Sequence, residues 1–173
     1  MLYLHNWNFS WRDFNHLEHL ASMARDKSEL FGVSLDSDYD LKIKTEDLLP
    51  LVDVFDVFQI PYCVAKPNNR DKIEFLLSKG KRVVLRSVFG HGMLIKGDSE
   101  LQELNPSLRR YSPETRLQLR NSVKGNTLDE RREYCLRDAL SIGDVDVVIG
   151  VSKVQHLGSA VQDIKSCIAT LLK

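Results

Sequence analysis

Five short apolar runs, each followed by a stretch with helical spacing, restrict this chain to a narrow set of folds. The runs are Leu2 to Leu4, Leu30 to Leu35, Val54 to Ile60, Val83 to Leu85 and Val145 to Val151. Strands that read as continuous apolar runs are buried on both faces, and the helices between them are what bury them. The alternation therefore predicts a parallel sheet with helices packed against it. A doubly wound open sheet and a segment of a (β/α) barrel both satisfy it, and periodicity does not choose between the two.

Local signals mark the helices. Trp11, Phe14, Leu17, Leu20, Ala21 and Ala24 recur at three and four residues, with Ser10 placed to cap them. Thr45 is placed to cap a weaker helix that reaches Leu51. Ile73, Leu76 and Leu77 define a helix from Asn68 to Lys79 that stops at Gly80. Pro61 closes the third strand, because it has no N–H to donate to a ladder. The stretch from Phe89 to Leu128 is irregular, but Ser112-Pro113-Glu114 opens a helix within it. Leu128 to Leu140 and Val154 to Leu172 read as the last two helices. No repeat, low-complexity segment or linker interrupts the series, so residues 1–173 are read as one domain.

Charge and cysteine usage narrow the partners. Twenty-four basic residues balance 24 acidic ones, so no net field draws the chain to nucleic acid or to an anionic membrane. No apolar run approaches the roughly 20 residues of a membrane span, and Met1 to Trp7 lacks the basic start of a signal peptide. Cys63, Cys135 and Cys167 are scattered, which points to reduced thiols and a cytoplasmic location rather than to a disulfide framework or a zinc site. His16 and His19 share a helix face with Leu17 and Leu20 and have no third ligand in view, so no metal is expected. The arginines between Arg109 and Arg137 are interspersed with Glu114, Asp129, Glu130 and Glu133, the pattern of a salt-bridged solvent face.

Five segments decide the architecture. They are Leu2-Tyr3-Leu4-His5-Asn6-Trp7, Phe31-Gly32-Val33-Ser34, Asp56-Val57-Phe58-Gln59-Ile60-Pro61-Tyr62, Val84-Leu85-Arg86-Ser87-Val88-Phe89-Gly90-His91-Gly92-Met93-Leu94, and Val147-Val148-Ile149-Gly150-Val151-Ser152 with His156-Leu157 behind it. In this order they resemble the strand ends of the aldo/keto reductase family, from the strand that carries its catalytic histidine onward. The resemblance implies a partial TIM-type (β/α) barrel of about five parallel strand–helix units with the helices outside. It also implies hydride transfer from NADPH to a small carbonyl substrate.

The family's functional residues carry over unevenly. Its catalytic histidine falls on His5, whereas its tyrosine, lysine and aspartate belong to strands with no counterpart here. The other reading of His5 is a strand-end histidine bonded to a neighbouring loop. Ser34 and Gln59 match positions that bind the nicotinamide carboxamide, but an Asn that partners the serine is replaced by Leu35. Arg86 stands where a tyrosine stacks on the nicotinamide, a role a guanidinium plane can take. Gly90 and Gly92 suit a loop whose backbone passes close to a pyrophosphate, and Ser87 and Ser152 are further cofactor-binding candidates from the matched segments. The Glu-Asn pair of the adenosine site is replaced by Ser159-Ala160, with Lys153 and Lys165 as nearby cations.

Three functions follow: a reductase-like protein inactive as an isolated chain, a carbonyl reductase completed by further strands, or a half-barrel that binds a nucleotide or phosphate. A five-strand piece also exposes two sheet edges, from which homodimerisation through those edges is expected.

Overall fold

The computed structural model describes residues 1–7, 14–35, 41–96, 111–150 and 154–171. Its strands are β1 (Leu2–Trp7), β2 (Phe31–Leu35), β3 (Val57–Pro61), β4 (Arg82–Arg86) and β5 (Val145–Val148). Its α-helices are α1 (Phe14–Arg25), α2 (Leu49–Val54), α3 (Arg70–Ser78), α4 (Pro113–Asn121), α5 (Leu128–Leu140) and α6 (Val154–Leu171). Short 3-10 turns span Thr45–Leu48 and Gly90–Gly92.

The strands lie in the order β1-β2-β3-β4-β5, every neighbouring pair parallel. A doubly wound sheet reverses direction at a switch point. Here each strand adds to the same edge, and right-handed crossovers then leave all helices on one face. One apolar core bears this out. It joins Leu17 and Ala21 of α1, Leu76 of α3, Leu136 of α5 and Cys167 of α6 to Val33, Phe58, Val83 and Leu85 of the sheet. The chain is thus an open arc of a (β/α) barrel.

Side-chain alternation splits each strand between two environments. Leu4, Val33, Phe58, Val83 and Val145 are register partners across the sheet and belong to the helix-side core. The opposite face carries Tyr3, Gly32, Val57 and Arg82 in one row, then Ser34, Gln59, Val84 and Asp146 in the next. Tyr3 lies so close over Gly32 that a Cβ there would come within 2.6 Å of the ring.

Several boundaries differ from the sequence expectation. β1 runs on through His5 to Trp7, with a register shift between Leu4 and Trp7. The third strand begins at Val57, because Val54 ends α2 and Asp56 turns back to accept a hydrogen bond from the Phe31 N–H at 2.9 Å. Thr45 does not cap: it lies inside the 3-10 turn, whose start is held by the Lys44 N–H donating to Asp47. Ser112 caps α4 as its sequence suggests, accepting from the Thr115 N–H. Ser10 and Trp11 lie outside the described residues.

Candidate functional site

In a parallel β/α sheet the loops at the carboxyl ends of the strands form the site. Parallel pairing brings the sequence-derived candidates Ser34, Gln59 and Arg86 to that end together. Ser34 is buried, and its hydroxyl donates to Oε1 of Gln59 at 3.0 Å. From the next strand, Arg86 Nη2 crosses to donate to the Leu35 carbonyl at 2.8 Å. A polar seam therefore ties β2, β3 and β4 together where they end. His5 is exposed on β1 and sits beside this seam without a described bond into it. Ser152 and Lys153 lie outside the described residues.

The loop after β4 is built from left-handed residues: Ser87, Gly90, His91 and Gly92 all have positive φ. Two of these are not glycine, a cost tolerated only where surrounding contacts fix it. The turn folds on itself. The Gly90 N–H donates to Ser87 O at 2.8 Å, that of Gly92 to Phe89 O at 3.0 Å, and that of Met93 to Gly90 O at 3.1 Å. A phosphate cradle needs such N–H groups aimed outward. These amides are already used within the loop.

Three features of the sheet were not singled out from the sequence. Tyr62, just past β3, is buried and donates to Asp138 Oδ2 on α5 at 2.6 Å. Burial and that carboxylate hold its phenol well above the usual tyrosine range. Fully buried Asn69 accepts from the Leu41 N–H and donates to Pro61 O, both at 3.0 Å. On the open face, Arg82 Nε donates to Asp146 at 2.5 Å, and burial raises the pKa of Tyr3 beside them. The third was accessible, because Arg82 and Asp146 alternate with the core valines Val83 and Val145. The other two span long sequence separations and left no local signal.

A cavity of about 640 Å³ opens at the other end of the strands, between Glu74, Lys81, Arg82, Asp144 and Asp146. Its place at the amino ends of β4 and β5 is where barrels carry stability rather than chemistry. Among the described residues no group of His, Cys, Asp or Glu could hold a metal ion, and no helix is long and apolar enough to cross a membrane.

Solved structures place this arc within a known barrel. An aldo-keto reductase from Bacillus halodurans matches over 95% of this chain, with a TM-score of 0.66 and 14% identity in both its holo and its apo form. The fold is similar to that of about half of an aldo-keto reductase barrel. At that identity the likeness fixes the fold alone. The chain spans little more than half of those proteins, 55% of the holo and 56% of the apo chain. No family model matches the sequence, and no curated protein does.

The dinucleotide that the family resemblance implies can be tested against these residues. A carboxamide needs a donor and an acceptor; with the Ser34 hydroxyl proton given to Gln59 Oε1, the pair offers the Gln59 amide N–H groups and the Ser34 oxygen lone pairs. Leu35 is fully buried in the aliphatic core and adds no polar group. At the adenosine end Ser159 is exposed and Ala160 is packed in. The Ser34–Gln59 pair can still meet a carboxamide, whereas Leu35, Ser159 and Ala160 supply none of the polar contacts that the resemblance assigns to their positions.

Proposed function

We propose that this chain is an aldo/keto reductase-like protein whose 173 residues alone do not bind NADP(H) productively or reduce a carbonyl compound. The polar seam carries this reading: Ser34, Gln59 and Arg86, the side chains that would meet a nicotinamide, are bonded across the sheet instead. No described tyrosine matches the family's acid position. Tyr62 donates to Asp138, and Tyr3 lies on the open face before His5. The three buried, unpaired cysteines are in keeping with a reducing compartment such as the cytoplasm.

Titration of the isolated chain with NADPH, followed by cofactor fluorescence, should give no saturable signal. Single-turnover mixing with a reactive aldehyde should leave the NADPH absorbance unchanged. Saturable binding together with aldehyde-dependent oxidation would sink the proposal.

A second reading, a reductase completed by further strand–helix units, is favoured by the exposure of His5 beside the seam. It expects reduction to appear when a polypeptide carrying the first three β/α units of such a barrel is added. That activity should vanish in His5→Ala.

A further inference from the structure

A second, smaller apolar cluster holds two thiols. Cys63, in the turn after β3, and Cys135, on α5, are both buried and pack in one cluster with Met93, Leu94 and Val123. The bond from Tyr62 to Asp138 fixes this pairing, because it joins the neighbour of Cys63 to the residue one turn along α5 from Cys135. The two sulfurs are near enough that a charge on Cys63 is felt at Cys135.

Two cations face the pair. Arg131, one turn before Cys135 on α5, donates from Nε to the Gly125 carbonyl at 2.9 Å. Its Nη1 is buried and makes no hydrogen bond. A buried donor left open is rare and calls for an acceptor, and the Arg131 charge favours an ionised Cys135. Around Cys63, the Ala65 and Lys66 N–H groups donate to the sulfur and the Lys66 ammonium lies near, all of which favour a thiolate. Burial outweighs these contacts, so both thiols are neutral and slow to react while the cluster is shut. The cover over Cys63 is thin: Val64, Ala65 and Lys66 are half-buried residues of a tight turn, closed by the Lys66 N–H donating to Cys63 O at 2.9 Å.

We infer that Cys63 and Cys135 are a peroxide-sensitive dithiol, with Arg131 Nη1 placed to receive the Cys135 thiolate as it forms. The Cys63 thiolate attacks one oxygen of hydrogen peroxide, the O–O bond breaks, and hydroxide leaves. That hydroxide takes up the Cys63 proton, which gives a sulfenic acid and one water. The Cys135 thiolate then attacks the sulfenic sulfur. An S–S bond forms, the S–O bond breaks, and the departing hydroxide takes up the Cys135 proton. Two thiols are oxidised to one disulfide while one peroxide is reduced to two waters. In a reducing compartment such a disulfide is transient and reports on the oxidant. The bridge ties the turn after β3 to α5 within the cluster that also holds Phe89, Met93 and Leu94, which follow the left-handed Ser87 in the loop after β4.

After the full chain is treated with excess hydrogen peroxide at neutral pH, alkylation in urea should label only Cys167. Peptide mapping should find Cys63 joined to Cys135, and dithiothreitol should restore all three thiols. Cys167→Ala should oxidise in the same way. In Cys135→Ser a sulfenic acid should persist on Cys63 and be trapped by a cyclic diketone. Arg131→Gln, with unchanged circular dichroism, should form the disulfide several-fold more slowly and accumulate more of the trapped sulfenic acid. Three free thiols after peroxide overturn the inference. So does a disulfide that involves Cys167 or a second copy, or an Arg131→Gln chain that oxidises as fast as the parent.

Discussion

At the scale of single residues, stability rests on polar side chains that finish backbone hydrogen bonding where the strands end. Asn69 is the clearest case, because its one amide satisfies both the Leu41 N–H and the Pro61 carbonyl in a fully buried place. Asn69→Ala orphans both groups and should cost about 2–6 kcal/mol in urea unfolding, at roughly 1–3 kcal/mol for each unsatisfied group. Asn69→Asp keeps the acceptor and should fall between. The buried thiols act through pH. Burial pushes Cys63 up to about 11, and burial with Cys63 nearby pushes Cys135 up to about 12. Folded thiols stay neutral where unfolded ones ionise, so this contribution is complete below the unfolded value near 9 and lost as pH rises toward 11–12. The urea midpoint should therefore fall between pH 9 and pH 11, and less steeply in Cys135→Ala. An equal slope in that variant would mean that other groups govern the alkaline loss.

Among the elements, the α5–α6 pair shows how helix packing is specified. Arg132 and Asp163 are 13% and 16% exposed and lie 2.7 Å apart, while the Cys167 thiol donates to the Glu133 carbonyl at 3.6 Å. Asp163→Ala leaves Arg132 largely buried with only exposed Asp129, 2.8 Å away. About 1–3 kcal/mol should be lost, as for a charged group deprived of one partner, and limited proteolysis should cut α6 first. Asp163→Asn, which keeps an acceptor, should recover part of the loss. If Asp163→Ala unfolds like the parent chain, apolar contacts alone hold α6. The elements themselves were readable from sequence because their signals are local. Pro113 and Ser112 start α4, Gly80 with its positive φ ends α3, and Val33, Phe58 and Val83 sit in apolar runs. The β1 extension past His5 was not readable, since polar His5 and Asn6 break the apolar run and only pairing with β2 keeps them in a strand. Nor was the seam, because the Arg86 bond to Leu35 joins residues 51 apart.

For the whole molecule, strand order makes stability a gradient across the sheet. β2 is buried at all five positions and β3 at all but Gln59, whereas β5 alternates between half-buried and exposed. A strand with neighbours on both sides opens only when the sheet opens, whereas an edge strand can fray alone. The barrel arc was legible because five strand ends in a fixed order act as one long-range pattern. Which of their side chains face a ligand and which face each other depends on cross-strand distances that no local pattern encodes, as with Ser34 and Gln59. Native-state hydrogen exchange follows from the same gradient: amides of β2, β3 and β4 should exchange slowest, near the global unfolding limit, and those of β1 and β5 faster. Amides of β1 as slow as those of β3 at every concentration would mean that both edges are covered within one chain, which is incompatible with an open arc.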